Sequence, residues 1–183
     1  MDQLLHEKTD RLKALLADMG GCVIGFSGGA DSTLLFAVAA EVLGQGALAV
    51  TATSATYPER ELNEARELAA RIGGRHRVVV SEELDIPEFR HNPRNRCYYC
   101  KHELFGKLRA IADAEGLAYV LDGTNVDDRG DHRPGRQAAG EIGVRSPLEE
   151  AGFTKQDIRD LSRVLGLPTW DKPAFACLSS RFP

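Results

Sequence analysis

Two stretches of the sequence carry side chains of a kind and spacing suited to chemistry. The first is VIGFSGGADSTLL, residues 23–35, in which Ser27-Gly28-Gly29-Ala30-Asp31-Ser32 joins an apolar run to the start of a helix. Gly28 and Gly29 can turn the backbone so that successive amide hydrogens form a nest for an anion, with the Ser27 and Ser32 hydroxyls as further donors. A helix amino terminus adds only about 0.3–2 kcal/mol, so holding a phosphate chain rests on directed hydrogen bonds and on Mg2+, for which Asp31 is the candidate ligand. The second stretch is NPRNRCYYCKHELF, residues 92–105, with Cys97 and Cys100 three positions apart at the start of an amphipathic run. A third cysteine, Cys177, lies in KPAFACLSSR, residues 172–181. Three thiolates suit a 4Fe-4S cluster with one iron open, zinc would take His91 or His102 as a fourth ligand, and a redox CxxC needs neither; spacing leaves the three open. Arg90, Arg94, Arg96, Lys101, His102 and Lys107 surround the pair. Such charge either lowers thiolate pKa values and offsets an anionic cluster or substrate, or is an ordinary solvated helix start. Cys22, inside an apolar run, reads as a core residue.

The elements that position these residues follow from periodicity. Leu12, Leu15, Leu16 and Met19 place one face on a helix from about Leu4 to Met19, stopped by Gly20-Gly21. A strand at Cys22–Phe26, a helix with Leu34, Leu35, Val38 and Val42, and a strand at Ala47–Ala52 make a βαβ unit. Next come a helix opened by Pro58 and closed by Gly73-Gly74, a strand centred on Val78, Val79 and Val80, and an irregular stretch from Glu83 to Arg96. A helix through Leu104, Phe105, Leu108 and Ile111, a strand at Ala118–Leu121 and a polar loop, DGTNVDDRGDHRPGR, follow. The last helix starts at Thr154, paired with Asp157 as a capping box, and ends at Gly166 and Pro168. The predicted architecture is α/β: a doubly wound, mostly parallel sheet of about five strands flanked by helices, forming one domain over 1–183. Ligands of such sheets sit beyond the carboxyl ends of the strands. That selects Phe26 and the Ser27–Ser32 loop, Thr53 within Thr51–Ser54, and Gly123 and Asn125 within Asp122–Asn125 as nucleotide contacts.

Composition narrows the class. The 183 residues are 43% hydrophobic and 27% charged with a net charge of -4, as in an ordinary globular domain, and no apolar run approaches a membrane span. A cytoplasmic protein is expected, with a small-molecule partner and neither nucleic acid nor membrane as a ligand. Four cysteines are too few for a disulfide scaffold. The loop has no GxxxxGK with a following Ser or Thr, which disfavours terminal phosphoryl transfer.

SGGADS instead resembles the SGGxDS signature of the PP-loop ATP pyrophosphatases, which share an adenine nucleotide alpha hydrolase-like (HUP-like) fold and cleave ATP to AMP and pyrophosphate while adenylating a substrate. Together SGGADS, RCYYCK, DGTNVDDRGDHRPG, GVRSPL and KPAFACLSSR resemble the LarE family of ATP-dependent sacrificial sulfur transferases, almost from end to end. The resemblance implies adenylation of a carboxylate of pyridinium-3,5-biscarboxylic acid mononucleotide and its conversion to a thiocarboxylate, in making the nickel-pincer nucleotide of lactate racemase. It gives Cys177 the place of the cysteine that surrenders its sulfur in some members, leaving dehydroalanine. The added Cys97 and Cys100 resemble the forms in which three cysteines hold a 4Fe-4S cluster whose extra sulfide is the donor, so ATP, Mg2+ and a cluster are the implied cofactors, with sulfide or cysteine-derived sulfur as the supply. Ser180 and Arg181 match the motif expected to hold substrate; Asp127, Asp128, Arg133 and Arg136 match another, whose alternative is a salt-bridged loop.

The sequence stops at Arg181-Phe182-Pro183, where the family usually continues into a smaller region that completes the substrate site and a homo-oligomer. A truncated or split version is therefore expected. Other readings stay distinct. A PP-loop tRNA thiolase would bind tRNA with steep salt dependence. NAD synthetase-type enzymes have no use for three cysteines, and a nucleotide sensor would bind without turnover.

Overall fold

The computed structural model describes residues 2–54, 58–81, 96–130 and 134–173. Four strands, β1 (Cys22–Gly25), β2 (Ala47–Thr53), β3 (Arg75–Val80) and β4 (Tyr119–Leu121), form a parallel sheet in the order β3-β2-β1-β4. Among the described residues seven helices accompany them: α1 (Gln3–Met19), α2 (Ala30–Leu43), α3 (Glu59–Ile72), α4 (Arg96–Glu115), α5 (Pro134–Ile142), α6 (Pro147–Glu150) and α7 (Lys155–Val164).

Alternation along the strands divides the core between two faces, as a doubly wound sheet requires. Cys22, Ile24, Ala47, Ala49 and Leu121 face a layer built from Leu12 and Leu16 of α1, Leu34, Leu35 and Phe36 of α2, Ala65 of α3 and Ile158 and Leu161 of α7. Val23, Leu48, Val50 and Val120 face Phe105, Leu108 and Ala112 of α4. The registers Val23↔Leu48 and Val23↔Val120 keep each set on its own side. Cys22 is fully buried, and burial pushes its thiol up to about 12, which fits the core role read from sequence.

The winding moves from β1 outward through β2 to β3, then returns to the other side of β1 for β4. The loops after β1 and β4 therefore meet at the point where strand order reverses, where open α/β sheets leave a crevice. In the position of a fifth strand stands a single parallel bridge, Leu121 to Arg145, with Asp122 N and Arg145 N each donating across it, to Arg145 O at 3.0 Å and Val120 O at 2.9 Å. The segment cannot extend further. Gly143, at φ 75°, has just ended α5, and Pro147, which has no N–H to donate, opens α6.

Within the polar loop expected over residues 122–136, Val126–Gly130 form a 3-10 turn and Pro134 starts α5. The capping box at Thr154 and Asp157 is present as expected, both hydroxyl and carboxylate bonding the opposite backbone N–H. Among the described residues no helix is long and apolar enough to cross a membrane.

Candidate functional site

The loop between β1 and α2 has the shape its glycines anticipate. Gly28 lies at φ 71°, in the left-handed region that favours glycine, and a Cβ there would meet Ala65 Cβ of α3 at 3.4 Å, an ordinary contact. Inside the turn, Ser32 Oγ accepts from Ser27 N at 3.3 Å and donates to Gly29 O at 3.3 Å, while Ser27 Oγ accepts from Gly29 N at 3.3 Å. Ser32 is buried and holds the turn; Ser27 is exposed at its rim. Gly29 is the N-cap of α2, and Asp31 stands in the first turn. The turn is thus held by its own serines and glycines at a helix start.

The loop after β4 closes on this turn. Gly123 is packed so tightly on α2 that a Cβ would sit 3.0 Å from Ser32 N and 3.1 Å from Asp31 Cβ. Beyond it, Asn125 is 3% exposed; its Oδ1 accepts from Asp127 N at 3.0 Å and its N–H donates to Asp128 Oδ2 at 3.1 Å. Asp127 Oδ2 then accepts from Lys155 N at 2.8 Å, capping α7, and Lys155 Nζ contacts both oxygens of Asp31 at 2.6 Å. Asp128 and Arg136 also serve this framework: Arg136 donates to Asp128 O at 3.0 Å and to both oxygens of Glu149, at 3.0 and 3.1 Å. Asp31, the Mg2+ candidate, therefore shares its carboxylate with an ammonium. A single carboxylate still suffices for Mg2+, which usually takes one or two protein carboxylates together with substrate phosphates.

Lys155 went unnoticed in the sequence, although it left a signal. A lysine in the first turn of a helix opposes the macrodipole, so its presence there marks a task elsewhere. That task is Asp31, 124 residues away.

The end of β2 adds a buried support. Thr51 Oγ1 donates to Phe26 O at 2.8 Å, and its one proton is thereby used. His76 Nε2, 2.8 Å from the same oxygen, must then be the donor to it, which assigns the Nε2–H tautomer. His76 also meets the Phe26 ring edge-on at 5.7 Å. Thr53, the last residue of β2, accepts from Ser81 N at 2.7 Å through its carbonyl. Desolvation, with a smaller contribution from Arg66, holds His76 below the ordinary histidine value. The unfolded chain takes up this proton near pH 6.5 while the folded one resists, so the contribution of His76 is present above that pH and is lost as pH falls through the depressed folded value. Between pH 7.5 and 5 the wild-type urea midpoint should fall further than that of His76→Gln; equal falls would contradict this environment.

Cys97 and Cys100 lie in the first turns of α4, three positions apart and so on neighbouring parts of one face; Cys97 is exposed, Cys100 half-buried, and neither is in a disulfide. Helix α4 begins at the carboxyl edge of the sheet. Glu103 Oε2 accepts from Ser81 Oγ at 2.9 Å, and Lys107 Nζ donates to Val80 O at 2.6 Å, both just past or at the end of β3. On its other side, Gly135 of α5 packs so closely that a Cβ would be 2.9 Å from Lys101 Cγ and 3.5 Å from Cys97 O. A continuous path runs from Cys97 through Gly135, Arg136 and Asp128 to Asn125 and the phosphate loop.

Two of the basic side chains near the pair have partners elsewhere. Lys107 is turned to Val80 and Glu103, and Lys101 lies over the Phe105 ring at 5.2 Å. His102, a candidate fourth zinc ligand, is exposed beside Tyr98, ring centroids 5.7 Å apart. Among the described residues no three His, Cys, Asp or Glu side chains converge enough to hold a metal ion. Cys177, Ser180 and Arg181, with His91, Arg90, Arg94 and Arg133, lie outside the described residues. The structure thus brings Phe26, Ser27, Gly28, Gly29, Asp31, Ser32, Thr53, Gly123 and Asn125 to one edge of the sheet, and starts the helix bearing Cys97 and Cys100 at the same edge.

A parallel sheet whose first strand ends in a serine and glycine turn on a helix N-terminus, with no Walker lysine, defines a PP-loop nucleotide-binding domain. Residues 16–110 match the asparagine synthase family, and the chain belongs to this family of PP-loop proteins. It is 48% identical over 180 residues to an uncharacterized protein of Synechocystis sp., covering 98% of this chain and 67% of that one. It is 39% identical over 180 residues to the pyridinium-3,5-bisthiocarboxylic acid mononucleotide synthase of Lactiplantibacillus plantarum, covering 98% of this chain and 65% of the synthase. The chain thus spans about two thirds of the length of these relatives. Among solved structures, it superposes on an NH3-dependent NAD synthetase from Campylobacter jejuni with TM-score 0.73 and 18% identity, covering 96% of this chain and 80% of the other. It superposes on the U34-tRNA thiolase NcsA of Methanococcus maripaludis, solved with its 4Fe-4S cluster, with TM-score 0.65 and 18% identity, covering 95% and 70%. At such identities these two likenesses establish the fold alone.

Proposed function

We propose that this chain is the adenylating and sulfur-delivering part of a cytoplasmic sulfur transferase acting on pyridinium-3,5-biscarboxylic acid mononucleotide. The observation that carries the reading is the conjunction of a serine and glycine turn at a helix start with 39% identity, across nearly the whole chain, to a synthase named for the bisthiocarboxylic product. In the first step a substrate carboxylate oxygen attacks the α-phosphorus of ATP and pyrophosphate leaves. The Ser27–Ser32 turn holds the departing pyrophosphate, Asp31 holds Mg2+, and Lys155 brings an ammonium to the same loop. A carboxylate resists nucleophiles until adenylation supplies a good leaving group. In the second step a sulfur nucleophile attacks the acyl carbon and AMP leaves, giving the thiocarboxylate.

Cys97, Cys100 and Cys177 are the ligands we assign to a 4Fe-4S cluster, which when bound supplies a renewable sulfide at its open iron. Cys97 and Cys100 fit this donor set, being two cysteines outside any disulfide, three positions apart on a helix that starts at the ligand side of the sheet. Ser180 and Arg181, by their motif, hold the substrate or its phosphate.

The test is turnover. Anaerobically reconstituted protein is incubated with ATP, Mg2+, sulfide and the dicarboxylate nucleotide, and products are resolved by mass spectrometry. AMP, pyrophosphate and thiocarboxylate are expected. AMP without thiocarboxylate leaves adenylation standing and removes the sulfur assignment, while no AMP removes both.

A further inference from the structure

Beyond α7 the chain turns back toward the sheet, with Trp170 N donating to Leu167 O at 3.3 Å and Lys172 N to Thr169 O at 3.1 Å. The side chain of Lys172 then crosses to the phosphate loop. Its Nζ donates to Gly28 O at 3.1 Å and pairs with Glu64 Oε2 of α3 at 3.2 Å. Lys172 and Gly28 are 144 residues apart in sequence.

Three features make this contact more than a surface ion pair. The carbonyl belongs to Gly28, the one loop residue in the left-handed region, so the lysine fixes the peptide whose orientation shapes the anion nest. The ammonium is only partly exposed, at 24% for its side chain, and α3 supplies its counter-charge. Glu64 is held below the usual carboxylate range, first by its hydrogen bond to Lys172 and then by that to Arg60. Lys172 is also the first residue of KPAFACLSSR, five positions before Cys177, which is at most about 18 Å of extended chain.

We infer that Lys172 is a positioning residue: its contact with the Gly28 carbonyl fixes the loop conformation that accepts ATP, and its position five residues before Cys177 couples that loop to sulfur delivery. Only its sulfur arm rests on the function proposed above; the nucleotide arm rests on the Lys172–Gly28 contact. A long aliphatic stem without charge would fill the same space but hold neither the Gly28 carbonyl nor Glu64. Arginine keeps the charge and can reach both acceptors.

The experiment compares wild type, Lys172→Met and Lys172→Arg by three readouts: the unliganded melting temperature, the ATP dissociation constant by calorimetry, and thiocarboxylate formed per AMP. Lys172→Met is expected to melt within a few degrees of wild type, bind ATP at least about tenfold more weakly and yield at least about fivefold less thiocarboxylate per AMP; Lys172→Arg should recover most of both losses. Wild-type ATP affinity in Lys172→Met overturns the inference. So does an affinity loss that tracks a large fall in melting temperature and is not rescued by arginine, since that is a structural role only. If wild type itself forms no thiocarboxylate, the functional reading fails, while the ATP constants still decide the role of Lys172.

Discussion

Cys177→Ser is expected to abolish thiocarboxylate formation while leaving ATP-dependent adenylation within a few-fold of wild type. The two chemistries use different atoms. In the proposed reaction, activation of the carboxylate uses the Ser27–Ser32 turn, Asp31 and Lys155, all set by β1, α2 and α7. Sulfur delivery needs a thiolate or a thiolate-held sulfide, and a serine hydroxyl is neither a soft iron ligand nor a comparable nucleophile at neutral pH. Removing a reacting nucleophile generally costs several powers of ten, so a fall of at least about 10³-fold in product is expected. Cys97→Ser and Cys100→Ser should behave alike if the three thiols act as a unit, with iron content lost in each. A variant at Cys177 that retains iron and makes thiocarboxylate at the wild-type rate would remove it from the sulfur chemistry; loss of AMP formation along with product would instead place it in nucleotide binding.

The opposite separation is expected at Gly28. Valine there must adopt a φ near 71° that costs L-residues about 1–2 kcal/mol, with a β-branched side chain set against Ala65 Cβ and Leu68 Cδ1, which already lie 3.4 and 3.6 Å from a bare Cβ. The strained turn would relax by rotating the Gly28 peptide, which breaks the nest and the bond to Lys172 together. A loss near 2 kcal/mol corresponds to about 30-fold weaker ATP binding. Calorimetric titration of Gly28→Val with ATP checks this, with iron content as the control that should not move. Affinity within threefold of wild type would show that the loop does not hold the nucleotide.

The part of the site that was legible in the sequence is the part made of local geometry. Strand, glycine turn and helix occur in one stretch, so residues 22–43 disclosed their fold, and with it the turn proposed to hold phosphate. The capping box at Thr154 is local in the same way. Helix α5 was missed because Pro134-Gly135 is read most readily as a turn, although proline is also well suited to the first position of a helix, which is how it acts here. The lysines were missed for a different reason. Lys155–Asp31 and Lys172–Gly28 join residues 124 and 144 positions apart, and no periodicity connects them. They become visible only once the return of the chain from β3 to β4 has placed α7 and the segment after it beside the phosphate loop. The salt-bridged alternative for the residue 122–136 motif was partly right: Asp127 caps α7, and Arg136 braces Asp128 and Glu149 rather than standing free.

The proposal that the three sulfurs converge on the nucleotide loop is tested most directly by anomalous scattering at the iron edge from anaerobic crystals grown with a non-hydrolysable ATP analogue. The account predicts one iron cluster ligated by Cys97, Cys100 and Cys177, its unligated corner facing the α-phosphate bound beside Ser27 and Gly28. Iron bound without Cys177, or a cluster on the far side of the sheet from the phosphates, would contradict it.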